Sequence, residues 1–127
     1  MIPKPRVHYG QTLYISSEGA LAVQIAVRAW YNQIIYYDFQ RPEITKYNSY
    51  FVQLVWRSTT DVGIGQYLSA SGKSYVVAFY TPIGNSEHDL GFNILPITSK
   101  YNRKHIIMRS SIRRISILEK RWSKISI

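Results

Sequence analysis

From Tyr9 to Ile15 polar and apolar positions alternate weakly, which predicts a short extended segment. Ser16 or Ser17 then offers a helix N-cap and Glu18 suits a first turn. From Ala20 to about Tyr37 the period becomes helical. Gln24, Arg28 and Asn32 form a narrow polar stripe, while Ala22, Ile25, Ala26, Ala29, Trp30 and Ile34 cover much of the rest. So narrow a stripe predicts a largely buried helix. Phe39 to Lys46 reads as a loop containing Pro42, and Asn48 or Ser49 as the cap of a short helix from about Tyr50 to Arg57. Two strands follow, Val62 to Leu68 and Ser74 to Tyr80, joined by Ser71-Gly72, a pair suited to a hairpin turn. Thr81-Pro82-Ile83-Gly84-Asn85 ends the second strand, and a loop through Gly91 leads to Pro96.

Beyond Lys100 the pattern changes. Met108, Ile112, Ile115, Leu118, Trp122 and Ile125 fall on one side of a helical wheel, and Arg109, Arg113, Arg114, Lys120, Arg121 and Lys124 on the other. This predicts a basic amphipathic helix. Charge sharpens the division: residues 100–127 hold nine Lys/Arg and one Glu, a net of +8, whereas residues 1–99 hold seven Lys/Arg and six Asp/Glu, a net of +1. The expected organisation is a domain over 1–97 and a basic tail over 98–127.

Hydrophobic content of 46% with eleven Tyr argues for one packed domain, not a disordered chain. The absence of Cys excludes disulfides and thiolate metal sites and favours a reducing compartment. The start of the sequence has no signal-peptide pattern, and no apolar run approaches a membrane span. These features suggest a cytoplasmic protein, with an extracellular one as the alternative if the start lies upstream. Candidate catalysis is sparse. His8, His88 and His105 are scattered, Ser86-Glu87-His88-Asp89 reads as a solvated loop in preference to a metal site, and no phosphate loop or nucleophile elbow is present. Gly63-Ile64-Gly65 reads as a strand that permits close packing. Gln33 is the most informative polar residue. It lies opposite Gln24 on the helix, either as a buried amide bonded to backbone or as the lining of a polar cavity.

Tyr9-Gly10-Gln11-Thr12-Leu13, Ala29-Trp30-Tyr31-Asn32-Gln33-Ile34, and Tyr50-Phe51-Val52-Gln53-Leu54-Val55-Trp56-Arg57 occur in this order, followed by Gly63-Ile64-Gly65, Tyr75 to Tyr80 and Pro82 to Asn85. Together they resemble the CAP superfamily of cysteine-rich secretory, antigen 5 and plant pathogenesis-related proteins, and its cysteine-free, Golgi-associated branch. The resemblance implies an α/β (α+β) fold, an α-β-α sandwich around an antiparallel sheet. It also implies that about two initial helices are lacking here, leaving one sheet face short of cover. The family's cavity, lined by two His and two Glu, can bind a divalent cation. Carried over by motif, the two Glu positions are Gln11 and Gln33 and one His position is Tyr50, while the other His falls near Pro3 or before the chain. Amides and a phenol are poor substitutes in such a set, so neither a metal nor any other cofactor is expected.

The resemblance implies a protein that binds lipid or an anionic membrane surface, peripheral and Golgi-like, and the lack of an acid, base or nucleophile constellation makes a non-enzymatic role the expectation. The alternative is a protein-partner-binding CAP protein of defence or reproductive signalling. The tail offers its own route to a membrane through inserted Ile115, Leu118 and Trp122 with cations at the headgroups. Its rivals are folding back over the bare sheet face, an acidic partner such as calmodulin, and nucleic acid, which no recognised fold here supports. Arg113-Arg114-Ile115-Ser116 and Lys120-Arg121-Trp122-Ser123 also resemble basophilic kinase sites, where phosphate would subtract charge.

Overall fold

A computed structural model describes residues 8–17 and 23–96 and the backbone of 116–117. Three antiparallel strands form the sheet: β1 (Gly10–Ser16), β2 (Asp61–Leu68) and β3 (Ser74–Thr81), with β3 in the centre. The β2–β3 hairpin turns where expected, with Gly72 at φ 88° and the Ser69 N–H donating to the Lys73 carbonyl at 2.8 Å. Register places Thr12 opposite Ala78 and Ile64 opposite Ala78, so one face collects Thr12, Tyr14, Ile64, Val76, Ala78 and Tyr80. The other collects Gln11, Leu13, Ile15, Gly63, Gly65, Tyr75, Val77 and Phe79.

The first face packs against α1 (Val23–Tyr31), α2 (Ser49–Leu54) and α3 (Leu90–Asn93) in one core. Trp30, Phe51, Leu54, Ile64 and Tyr80 are fully buried there, and burial of each such side chain contributes about 1.5–3 kcal/mol. The Trp30 indole N–H is satisfied by the Leu13 carbonyl at 3.1 Å, which pins α1 to β1.

Two expectations change. The first helix is shorter and less buried than its stripe predicted: α1 ends at Tyr31, a 3-10 helix continues over Asn32–Tyr36, and Ile25, Ile35 and Tyr36 are exposed. The buried residues Val23, Ala26, Val27 and Trp30 form an i, i+3, i+4, i+7 stripe, so a single sheet face sets the burial. The loop through Gly91 in fact contains a 3-10 turn (Glu87–Asp89) and α3, whose Leu90 and whose following Ile94 enter the core four residues apart.

The amphipathic helix expected beyond Lys100 lies outside the described residues, save for Ser116–Ile117. Those two form a strand, β4, parallel to β2 and in register with Gly63 and Ile64. A free strand edge competes for backbone hydrogen bonds wherever a segment reaches it, and helical periodicity alone does not register that competition.

Candidate functional site

The N-terminus of α2 is where the site builds. Asn48 occupies the N-cap position but makes no side-chain cap bond. Its Oδ1 accepts the Thr45 N–H at 2.9 Å, and its Nδ2 donates to the carbonyls of Tyr36 and Glu43, so the amide is committed to the preceding loop. The orphan N–H groups of α2 find another acceptor. The 3-10 helix after α1 delivers Gln33, whose Oε1 accepts the backbone N–H groups of Tyr50 at 2.9 Å and Phe51 at 3.1 Å. Gln33 is therefore an amide bonded to backbone, half-buried, capping a helix from 17 and 18 residues away.

Of the three cavity positions read from sequence, Gln33 and Tyr50 are brought together at this turn. Tyr50 is half-buried against the core. Gln11 is exposed on β1 opposite Phe79, on the strand face away from Thr12 and Tyr80, and stands apart from that contact. These three do not make a donor set for a divalent cation: the Gln33 oxygen already accepts two N–H bonds, and no carboxylate or imidazole accompanies it. Among the described residues no group of three or more His, Cys, Asp or Glu stands close enough to hold a metal. His8 and His88 are exposed, and the Glu87 carboxylate accepts the Ile44 N–H at 3.4 Å.

A second amide, unremarked in the sequence, organises more of the fold. Gln53 is 2% exposed, its Nε2 donating to Thr59 Oγ1 at 3.2 Å and its Oε1 accepting the Gly84 N–H at 2.9 Å. The Thr59 hydroxyl in turn donates to the Pro82 carbonyl at 2.9 Å, so the chain of bonds is consistently polarised. Gly10 and Gly84 let two backbones approach. A Cβ at Gly10 would collide with the Gln53 amide, and one at Gly84 would stand 2.7 Å from Trp56 Cγ. Asn85, at φ 64°, donates from Nδ2 to the Ser49 carbonyl and returns the segment to α2. An isolated amide within the apolar run Phe51-Val52-Gln53-Leu54-Val55 was the available signal.

Deeper in the core the Tyr80 hydroxyl and Thr12 Oγ1 are 2.9 Å apart, both buried. Burial pushes the Tyr80 phenol well above its ordinary value, with the Thr12 hydrogen bond opposing the shift. Tyr37 is raised by burial and then by the Glu87 charge. Both phenols stay neutral at physiological pH. The hub thus offers neutral hydrogen-bonding groups already turned to structural use, and no acid–base pair.

The basic residues Arg109, Arg113, Arg114, Lys120, Arg121 and Lys124, with Ile115, Leu118 and Trp122, lie outside the described residues. Among the described residues no helix is long and apolar enough to cross a membrane.

Comparison with known proteins follows the same elements. The cysteine-rich secretory protein family (CAP) pattern matches residues 4–80. The chain is 36% identical over 89 residues to Golgi-associated plant pathogenesis-related protein 1 of Homo sapiens, covering 68% of this chain and 57% of that protein. It is 34% identical over 74 residues to Protein PRY2 of Saccharomyces cerevisiae, covering 57% of this chain and 22% of the relative. To Repressed by EFG1 protein 1 of Candida albicans it is 34% identical over 87 residues, covering 68% and 30%. The chain thus spans between 22% and 57% of the length of these curated relatives. A match of that extent, running through β1, α1, α2, β2 and most of β3, makes this chain a member of the CAP family.

Proposed function

We propose that this chain is a non-enzymatic CAP protein that binds an anionic lipid surface, with residues 1–97 as a partial CAP domain and 98–127 as the basic segment that meets the lipid. The observation that carries the reading is the charge partition: +8 in residues 100–127 against +1 in 1–99. Each Lys or Arg held near an anionic leaflet contributes about 1 kcal/mol, so six together supply on the order of 6 kcal/mol of attraction. Arg109, Arg113, Arg114, Lys120, Arg121 and Lys124 supply the charge, and Ile115, Leu118 and Trp122 the apolar contact. The hub around α2 supports the non-enzymatic part, because Gln33 and Gln53 do not ionise and their oxygens are occupied by backbone N–H groups. The name of the human relative, Golgi-associated, supports a peripheral place on a Golgi-like membrane.

Co-sedimentation with phosphatidylserine-containing vesicles tests this, comparing the full chain with its R113Q/R114Q/K120Q/R121Q variant. The full chain is expected to pellet, less so at high salt, and the variant to bind on the order of a thousandfold more weakly. Negligible pelleting of both overturns the reading in favour of a protein partner.

A further inference from the structure

The 3-10 helix over Asn32–Tyr36 serves two directions. Gln33 caps α2 and Ile34 packs against the core. Ile35 and Tyr36 stand outward, 76% and 60% exposed, and no residue of the element is buried. Tyr47, 58% exposed, brings its ring centroid to 6.0 Å from that of Tyr36, with 45° between the planes. Single exposed apolar side chains need no explanation, but an adjoining aromatic pair next to so exposed an isoleucine does.

The pair sits on a fixed backbone. Asn48, 1% exposed, donates from Nδ2 to the carbonyls of Tyr36 at 3.1 Å and Glu43 at 2.9 Å, and accepts the Thr45 N–H at 2.9 Å. Thr45 Oγ1 in turn accepts the Tyr47 N–H at 3.2 Å. One buried amide thus ties both ring-bearing segments together, which lowers the ordering that a ligand must impose.

The charge around the rings says what fits. Lys46 Nζ lies 5.1 Å from the Tyr47 centroid, inside the ~6 Å range over which a ring face attracts a cation. Along the loop from 38 to 47, Asp38 and Glu43 are exposed carboxylates, and Arg41 and Lys46 are exposed cations. The Glu87 carboxylate, which reaches the same loop, already accepts the Ile44 N–H. Such a surface does not select an anionic lipid, because the carboxylates would repel it. It matches a zwitterion whose cation suits aromatic faces and whose anion suits Arg41 and Lys46. Phosphocholine carries both, and its quaternary ammonium is the type of cation that aromatic side chains recognise. Tyrosine rings settle at headgroup depth, and an apolar side chain beside them meets the acyl boundary.

We propose that Ile35, Tyr36, Lys46 and Tyr47 form a contact site for the phosphocholine headgroups of a bilayer, with the choline ammonium against the rings and Ile35 at the acyl boundary. Only the class of partner is shared with the lipid reading above. This site lies on the domain, needs no anionic lipid and does not depend on residues 98–127.

The test is co-sedimentation with pure phosphatidylcholine vesicles at high salt, using the full-length R113Q/R114Q/K120Q/R121Q variant so that tail charge adds little. This protein is expected to pellet, and adding Y36S/Y47S to weaken binding roughly tenfold through loss of two ring contacts. Both positions are exposed, so the serine pair should keep the fold, as circular dichroism can verify. Y36F/Y47F retains both ring faces and should pellet at least as well as its parent. On phosphatidylglycerol vesicles the serine pair should leave any residual binding unchanged. No pelleting of the parent with phosphatidylcholine, or equal pelleting of the serine variant, overturns the proposal. Equal loss in the phenylalanine variant also overturns it, by assigning the contact to the hydroxyls. So does equal weakening on both lipids, which would leave an apolar contact without choline recognition. The anionic-lipid reading fails separately, on phosphatidylserine vesicles with the unaltered tail.

Discussion

The two faces of the sheet come from the same three strands, and side chains alternate between them residue by residue. On the helical face Val76, Ala78 and Tyr80 are 0% exposed and Ile64 is 1%. On the other face Ile15 is 52% exposed, Phe79 and Tyr75 are half-buried, and burial concentrates at Val77 and Gly65. Yet β3 is apolar without alternation from Tyr75 to Tyr80, the pattern of a strand covered on both sides. The composition of β3 therefore asks for two covers, while the described helices provide one. What the contrast teaches is that a strand's sequence records how many faces are buried, but not which segment buries them.

Truncating a residue on each face should separate them most. Phe51→Ala removes a 0%-exposed ring beneath the helical face and is expected to cost about 3–5 kcal/mol, read from the urea midpoint. Ile15→Ala on the other face should cost no more than about 0.5 kcal/mol. A cost of 2 kcal/mol or so at Ile15 would mean that the second face is covered along its whole length, not only at Val77 and Gly65.

Next in size is Tyr80→Phe, which strands the buried Thr12 hydroxyl and should cost about 1–3 kcal/mol. It also carries a pH signature. Unfolded tyrosine loses its proton near pH 10, whereas burial raises the folded pKa, so above that pH the folded state holds a proton that the unfolded state has lost. Stability must then fall as pH rises from about 10 towards the folded pKa. Alkaline titration of the midpoint should show this slope in the wild type and a shallower one in the Phe variant.

Much of the helical face was legible in sequence. The apolar strands and the Ser71-Gly72 turn are local signals and were read directly, whereas the helical stripe read from sequence shares only Ala26 and Trp30 with the buried set Val23, Ala26, Val27 and Trp30. The hub was legible only as a resemblance in motif order. Gly10, Gln53, Thr59 and Gly84 are far apart in the chain, and neither propensity nor period records that two glycines exist to admit one amide. The α1 terminus was misread because 3-10 and α turns share apolar spacing over a few residues; the tighter turn over Asn32–Tyr36 delivers Gln33 to α2. Beyond Lys100 the helical stripe read from sequence runs through Ser116–Ile117, which pair with β2 as a strand. Helical spacing reads the segment alone, whereas pairing depends on the edge it meets.

Gln33 gives the smallest and most discriminating effect on the helical side. Its oxygen is the acceptor for two α2 amides because the cap residue, Asn48, is committed elsewhere. Gln33→Ala should cost about 0.5–2 kcal/mol, the range for a lost cap, and speed exchange at the Tyr50 and Phe51 amides. Gln33→Glu keeps an acceptor and places a negative charge where helix N–H groups point, which favours the ionised form and lowers its pKa. The sign follows: the Glu variant should match or exceed wild-type stability at pH 7, with the charge's contribution lost as pH falls through the depressed folded pKa, below the ordinary value of about 4.3. Restoring this one carboxylate leaves Tyr50 and exposed Gln11 unchanged, so calorimetry should find no saturable zinc binding in either protein. Binding that appears in the Glu variant alone would show that one carboxylate suffices to return the turn to metal chemistry, and that Gln33 replaced a ligand before it served as a cap.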